Sequence, residues 1–227
     1  MTYTLAIGER AYSSWSLRGW LAFAAFGLDV ETVSLSMSTP EFYDGLGAFA
    51  PARSVPALRI DRVGVTWDTL AIAETLVERH PDIAFWPGDS GDRALARAMA
   101  AAMHSGFAPL RAACPMDLRA ACAGFVPDAA VRADLDRIEA LWSAARSRRC
   151  AARGPWLFGA YSVADVFFAP VATRILSYGL DVGAGARAYV AAHLAHPAFL
   201  DWRAAALVEP RILPTAPPDL APRPWPA

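Results

Sequence analysis

The sequence has few cysteines, almost no net charge and no long apolar run, and each of these features excludes a class of protein. Its 227 residues carry a formal net charge of -1 at neutral pH, which gives no reason to expect nucleic acid or an acidic membrane surface as a partner. The longest charge-free apolar stretch near the N-terminus, 19–28, is far too short to span a bilayer. The opening "MTYTLAIGER" has no basic segment followed by an apolar one, so we expect no signal peptide.

Cysteine is rare, and Cys114, Cys122 and Cys150 form no closely spaced pair. An odd and widely spaced set fits a reducing cytoplasm better than a disulfide framework, so we expect a cytoplasmic protein. No two histidines have metal-ligand spacing, and we expect no metal. Hydrophobic residues make up 55% of the chain and charged residues 19%. The chain is therefore long and apolar enough to fold around one large core or two modest ones.

The first 80 residues alternate between short apolar runs and amphipathic stretches. This pattern predicts helices at 16–28, 39–46 and 69–80, and strands at 3–7, 30–36, 55–61 and 64–67. Thr39 is expected to cap the second helix, with Pro40 at its first position. A helix separates the first two strands, so these should be parallel, whereas the closely spaced last pair should be antiparallel.

The remainder of the chain is predicted to be helical. Residues 81–91 are rich in proline, glycine and aspartate, which is typical of a linker. We find no convincing strand beyond them, and helices are predicted at 92–113, 128–150, 162–178, 185–194 and 197–208. Ser162 and Asp165 have capping-box spacing. The last residues hold too many prolines for regular structure and should lie extended on the surface. The predicted divisions are a domain at 1–80, the linker at 81–91, an all-helical substrate domain at 92–210 and a proline-rich tail at 211–227.

Three segments, in this order and at this spacing, resemble the glutathione transferase superfamily. They are "SVPAL" (54–58), "WDTLAIAETL" (67–76) and "FGAYSVADVFFAP" (158–170). The resemblance implies an α/β thioredoxin-like domain followed by an all-α domain, with glutathione as co-substrate. It also implies that Pro56 follows a cis peptide bond.

The resemblance gives the residues near Pro56 a ligand. Glutathione is an extended peptide and could pair with the backbone of Val55, as in strand addition. Asp68 and Thr69 stand where the family motif has Glu and Ser, and plain N-capping would explain them in isolation. Beside "SVPAL", Thr69 and the helix N-terminus are expected to hold the γ-glutamyl carboxylate, and Asp68 the α-ammonium. Arg53 is the candidate for the glycyl carboxylate. The expected glutathione-binding residues are Arg53, Ser54, Val55, Pro56, Asp68 and Thr69.

Three serines stand at the start of the first predicted helix, in "YSSWSLRGWL" (12–21). Aligning Arg18 with the arginine of the family's S-x-x-S-x-R pattern puts Ser13 at the catalytic position, with Ser14 as the runner-up and Ser16 as the helix N-cap. A free thiol, with a pKa of about 8.5, is mostly protonated at neutral pH. A hydroxyl that donates to sulfur beside a helix N-terminus favours the thiolate. The alternative is that the serines only cap and turn the chain.

A substrate pocket is expected between the two predicted domains, a common place for ligand sites. Its candidate wall is Met103, His104, Phe107 and Arg111, which would share one face of a single helix, together with Trp15. A lone histidine is more often structural, and Trp15 would serve equally well in the core.

Two functions remain open. In the first, glutathione attacks a small electrophilic or apolar substrate, by conjugation or by isomerisation. In the second, the chain is a non-catalytic module that binds a ligand or a protein. Isomerase relatives usually carry "SSCS" where this chain has "SSWS". Relatives are usually two-fold dimers, so a homodimer is expected, without nucleic acid or membrane as partners.

Overall fold

A computed structural model describes residues 2–148, 154–210 and 220–226. Contacts divide them into two compact units. The first contains the described residues up to Ile83 together with 197–210, and the second contains those of 84–196 together with 220–226. The division between Ile83 and Ala84 falls within the predicted linker, 81–91. Residues 197–208, which the sequence assigned to the helical domain, group instead with the N-terminal unit.

The first unit is built on a four-stranded sheet. Its strands β1 (Tyr3–Ile7), β2 (Glu31–Ser34), β3 (Ala57–Ile60) and β4 (Gly64–Trp67) lie in the order β2-β1-β3-β4. β1 pairs parallel with β2 and antiparallel with β3, and β3 pairs antiparallel with β4. The predicted strand directions are therefore confirmed. β1 is buried along its whole length, because it lies inside the sheet and is covered by helices.

Four helices belong to this unit: α1 (Ser14–Ala24), α2 (Glu41–Leu46), α3 (Thr69–Arg79) and, late in the chain, α9 (Pro197–Val208). The N-cap of α1 is Ser13, so the prediction that Ser16 caps this helix is wrong. The N-cap of α2 is Pro40 rather than Thr39, and a 3₁₀ turn (Gly47–Phe49) extends it. Helices α1 and α9 pack against each other.

The second unit contains α4 (Ser90–Ser105), α5 (Ala108–Ala113), α6 (Ala129–Ser147), α7 (Val163–Tyr178) and α8 (Ala184–Leu194). The predicted single helix over 92–113 is wrong. It is interrupted by Gly106, which is extended, and by Phe107, whose φ of 62° lies in the left-handed region. The predicted helix over 128–150 ends earlier, and Cys150 lies outside the described residues.

The second unit is not all-helical. Strand β5 (Ala120–Ala123) pairs antiparallel with β6 (Ala221–Pro224). This corrects the expectation that no strand follows the linker, and the expectation that the proline-rich tail has no regular structure; residues 211–219 of that tail lie outside the described residues. Proline lacks an N–H group but is tolerated in an edge strand, and a two-stranded ribbon consists only of edges.

Helix α7 forms the centre of this unit and is buried on almost every side. Its first turn contains the predicted capping box, which is confirmed. The carboxylate of Asp165 is fully buried and accepts four hydrogen bonds, from Ser162 N, Ser162 Oγ, Tyr189 Oη and Leu157 N. Burial raises the pKa of Asp165, and the four donors oppose that shift. No described helix of either unit has the length and apolarity that crossing a membrane would require.

Candidate functional site

The end of β1 and the first turn of α1 are joined through two buried hydroxyls. Ser13 has an extended backbone, and its Oγ accepts a hydrogen bond from Ser16 N at 3.2 Å. The two hydroxyl oxygens of Ser13 and Ser16 are 2.8 Å apart, and Gly8 N donates to Ser16 Oγ at 2.9 Å. Ser16 therefore lies inside the first turn and stabilises it through its hydroxyl, while Ser13 is the N-cap residue of the helix. The partial positive charge of a helix N-terminus is strongest there.

Ser14 occupies the first helical position, next to Ser13, and is also largely buried. No hydrogen bond among the described residues uses its hydroxyl. The structure thus brings both candidate serines to the N-terminus of α1, one engaged in capping and one not.

The loop before Ser13 is pinned to the segment that follows β2. The side chain of Glu9 is buried, and its carboxylate accepts from Met37 N at 3.1 Å and from Ser36 Oγ at 2.9 Å. The carbonyl of Glu9 accepts from Ser13 N at 2.9 Å. One residue thereby links the cap of α1 to the chain beyond the neighbouring strand.

The same loop is held by residues from the end of the chain. Arg10 forms an ion pair with Glu209, and its backbone N donates to the same carboxylate at 2.9 Å. The indole of Trp202, in α9, donates to the carbonyl of Arg10 at 3.0 Å and lies under the guanidinium. The guanidinium also reaches Ser34 and Thr32 of β2. Sequence reasoning missed this arrangement, because 199 positions separate Arg10 from Glu209.

The Val55–Pro56 peptide bond is cis, as predicted. Pro56 is buried against α1, where a Cβ built on Gly19 would lie 2.8 Å from the proline ring. Any other residue at position 19 would force the proline segment away from α1. Val55 is half-buried, and no hydrogen bond among the described residues uses its backbone. The neighbouring Arg53 and Ser54 are exposed.

The turn into α3 has two unusual features. Asp68 has a φ of 75°, a conformation that is costly for a residue with a side chain and that is concentrated at functional sites. Its carboxylate caps α3 by accepting from Leu70 N at 2.8 Å. Thr69 is 3% exposed, and its Oγ1 has no hydrogen-bond partner within the described residues. A buried hydroxyl without a partner is costly, so this position is suited to a ligand that supplies one.

The N-terminal unit matches a known family. Residues 12–79 match the family model for the glutathione S-transferase N-terminal domain. Through this segment the chain is similar to glutathione S-transferases. The matched segment contains every candidate described above for glutathione binding and thiol activation.

Structures of superfamily members cover most of the chain. A glutathione transferase homologue from Burkholderia gl BGR1, solved with bound glutathione, has a TM-score of 0.67 and 25% identity, and the match covers 91% of this chain and 99% of that one. Maleylacetoacetate isomerase from Anaeromyxobacter dehalogenans 2CP-1, with glutathione in its active site, has a TM-score of 0.63 and 27% identity, over 88% and 94% of the two chains. Another structure of that isomerase holds dicarboxyethyl glutathione and citrate. The predicted fold class is confirmed, with the β5–β6 ribbon as an addition to the otherwise helical second unit.

A curated relative shares more identity over a shorter segment. The probable maleylacetoacetate isomerase of Caenorhabditis elegans is 36% identical over 101 residues, which cover 44% of this chain and 46% of the worm protein. The likeness to the curated relatives therefore spans about half of their length.

The predicted substrate wall in the helical unit is divided between two helices. Because α4 ends before Gly106, Met103, His104, Phe107 and Arg111 do not share one continuous helical face, and that part of the prediction is wrong. Met103 and Phe107 are buried. The guanidinium of Arg111 donates to the carbonyls of Met103, His104 and Gly106. Arg111 therefore caps the end of α4, and its contact with a substrate remains a prediction.

Trp15 lies half-buried on α1. The guanidinium carbon of Arg18, which is fully buried, is 4.7 Å from the centre of the indole ring. A cation over an aromatic face is stabilising, more so when it is desolvated. This contact gives Trp15 a structural role within the N-terminal unit, and its place in a substrate pocket remains a prediction.

Sequence reasoning also missed Arg174, a buried cation on α7. Its Nε donates to the carbonyl of Cys114 at 2.8 Å, and its Nη1 donates to the carbonyl of Pro170 at 3.1 Å. Burial, with the positive charge of Arg111 as a second cause, lowers the pKa of Arg174 to about 10. The buried guanidinium thus joins α7 to the end of α5 through the Cys114 carbonyl. The sequence feature that could have identified Arg174 is that it is the one charged residue in the apolar run "VFFAPVATRIL". The described residues contain no group of His, Cys, Asp and Glu that could hold a metal ion.

The contact between Arg10 and Glu209 predicts a measurable loss of stability. Replacing Glu209→Gln removes the charge from a carboxylate that is only 18% exposed and that holds both the side chain and the backbone of Arg10. We expect the free energy of unfolding to fall by about 1.5–3 kcal/mol, the range for a hydrogen bond to a charged group. Denaturant titration measures it. Glu78→Gln is the control, since Glu78 is exposed on α3. Equal losses in the two variants would contradict a specific contact.

Proposed function

We propose that this chain is a member of the glutathione S-transferase superfamily and an enzyme that activates the thiol of glutathione for attack on a small electrophile. The observation that carries the proposal is Thr69, whose buried hydroxyl has no hydrogen-bond partner among the residues that the structure describes and which follows the strained residue Asp68. Strain and an unsatisfied donor at one helix N-terminus are expensive in a stable fold. They are explained if an anionic ligand group binds there.

Glutathione would lie along the N-terminal unit in an extended conformation. We propose that Thr69 and the N-terminus of α3 hold the γ-glutamyl carboxylate, while Asp68 holds the α-ammonium. The backbone of Val55 would pair with the cysteinyl residue, as in strand addition. Arg53, which is exposed and cationic, would bind the glycyl carboxylate. Ser54 and Pro56 are the other proposed glutathione-binding residues of that segment.

The sulfur would then be activated at the N-terminus of α1. Ser13 is the proposed donor, because its hydroxyl stands at the end of the helix. A donor and a helix N-terminus both stabilise S⁻ relative to the thiol, and so lower its pKa. The thiolate would attack the electrophilic carbon. In conjugation the new C–S bond is retained, and either a leaving group departs with its electron pair or, after addition to a double bond, the neighbouring carbon takes up a proton. In isomerisation it would break again after rotation about the bond that had been double, and glutathione would be regenerated.

The electrophile is proposed to carry a carboxylate. A structural relative that is an isomerase holds citrate in its active site. The similarity to isomerases supports isomerisation, and the tryptophan in "SSWS" argues against it, so conjugation remains open.

Replacement of Asp68 tests the placement of glutathione. Asp68→Asn keeps an oxygen that can cap α3 and a residue type that tolerates a positive φ, but it removes the negative charge. We expect glutathione affinity to fall by about 1.5–3 kcal/mol, the range for a charged hydrogen bond. Isothermal calorimetry measures the dissociation constant. Asp82→Asn, at an exposed position, is the control. An unchanged constant for Asp68→Asn would refute the placement.

The two candidate serines are separated by the ultraviolet absorbance of the thiolate, followed against pH with glutathione bound. Ser13→Ala should raise the pKa of the bound thiol by roughly one to two units, because a donor to S⁻ is lost. The titration midpoint therefore moves to higher pH, while affinity near neutral pH changes little. A shift in Ser14→Ala alone would make Ser14 the donor. If neither variant shifts the curve, the serines are caps, and the non-catalytic binding module becomes the better function.

We also propose that the chain forms a homodimer. The support is the exposed apolar surface at the edge of the sheet in the N-terminal unit, where Trp67 on β4 is 42% exposed and the preceding Val63 is 57% exposed. An open sheet edge with apolar side chains is usually covered. Sedimentation at micromolar concentration should give the mass of two chains, and the mass of one chain would refute the proposal. A cytoplasmic location remains our prediction from the cysteines, of which Cys114 and Cys122 are buried and unbonded.

A further inference from the structure

Ser16 is the most deeply buried hydroxyl near the N-terminus of α1. Its side chain is fully inaccessible, and its oxygen contacts two groups, Gly8 N and Ser13 Oγ. The first is a fixed donor. Gly8 follows a buried strand, and a Cβ at this position would lie 2.5 Å from the sulfur of Met37. A larger residue at this position would have to displace the Met37 side chain, and the backbone after β1 sets the direction of the Gly8 N–H group.

The number of available hydrogens restricts what Ser13 can do. The 2.8 Å contact between the two hydroxyl oxygens holds one hydrogen, which either serine can supply. If Ser13 supplies it, the Ser13 hydroxyl points into the protein and has no hydrogen for a ligand. If Ser16 supplies it, Ser13 accepts from both the N–H and the O–H of Ser16. The hydrogen of Ser13 is then free to point outward.

We propose that Ser16 is a positioning residue, whose hydroxyl donates to Ser13 and so directs the Ser13 hydrogen toward the sulfur of glutathione. The inference rests on the proposed function of Ser13. Gly8 N occupies one acceptor site of Ser16, which leaves the Ser16 hydrogen available for donation to Ser13. A hydroxyl that accepts two hydrogen bonds is polarised and becomes a better donor, because hydrogen bonds in a chain strengthen one another. The path runs from Gly8 through Ser16 and Ser13 to the sulfur.

The proposal gives Ser16 an effect on sulfur chemistry without contact with sulfur. Ser16→Ala should raise the pKa of bound glutathione, by less than Ser13→Ala does, and should leave the dissociation constant for protonated glutathione within about twofold. Ser177→Ala removes an equally buried hydroxyl in the helical unit and should leave the thiol titration unchanged.

The decisive experiment is a double-mutant cycle on the thiol pKa, with thiolate absorbance as the readout. In the Ser13→Ala background, adding Ser16→Ala should shift the pKa no further, because Ser16 acts only through Ser13. If Ser16→Ala shifts the pKa equally in both backgrounds, its effect is a general distortion of α1 and the proposal is overturned. No shift in the wild-type background also overturns it.

A second pair of variants covers the case in which Ser16→Ala does not fold. Ser16→Thr and Ser16→Val have the same shape and differ in one hydroxyl. The threonine variant should keep the lower thiol pKa and the valine variant should not, whereas equal pKa values would overturn the proposal. Failure of wild-type glutathione binding would refute the proposed function itself. A shift of the thiol pKa in Ser13→Ala with none in Ser16→Ala would refute the positioning role of Ser16 and leave the proposed function standing.

Discussion

The hydrogen bond from Gly8 N to the hydroxyl of Ser16 fixes the start of α1 on the end of β1, and the geometry of the candidate site depends on it. Because α1 begins at that point, Ser13 is its N-cap residue. The Ser13 hydroxyl therefore lies among the N–H groups of the first turn, which have no partners within the helix. The same helix carries Gly19, against which Pro56 packs. One rigid element therefore sets the positions of both the sulfur-activating serine and the peptide-pairing segment.

Two helix N-termini of the structure differ in how completely their polar groups are hydrogen-bonded. The capping box of α7 pairs all four donors around Asp165, as a structural element should. At the start of α3, Asp68 is strained, and the hydroxyl of Thr69 has no hydrogen-bond partner in the described part of the chain. The N-terminus of α7 has its hydrogen bonds already made, whereas that of α3 does not. A ligand that supplies the missing hydrogen bond therefore gains binding free energy at α3.

Local patterns in the sequence were sufficient for much of the fold. The strands of the N-terminal unit follow short apolar runs, and the hairpin of β3 and β4 follows from their close spacing. The capping box of α7 is visible because Ser162 and Asp165 stand three residues apart. Failures occurred where several local solutions are equally good: Ser13, Ser14 and Ser16 can all cap a helix, and only the contact with Gly8 distinguishes them. The interruption of 92–113 and the pairing of β5 with β6 depend on backbone geometry and on distant partners.

The attachment of α9 to the N-terminal unit affects the order in which the site can form. Trp202 and Glu209 hold the backbone and side chain of Arg10, three residues before Ser13. These two residues follow Arg10 by 192 and 199 positions, so a nascent chain on the ribosome can form the sheet and α1 long before the loop acquires its final support. Glutathione would therefore find a completed site only after α9 and Glu209 have been synthesised, although every residue proposed to touch it lies within 13–69.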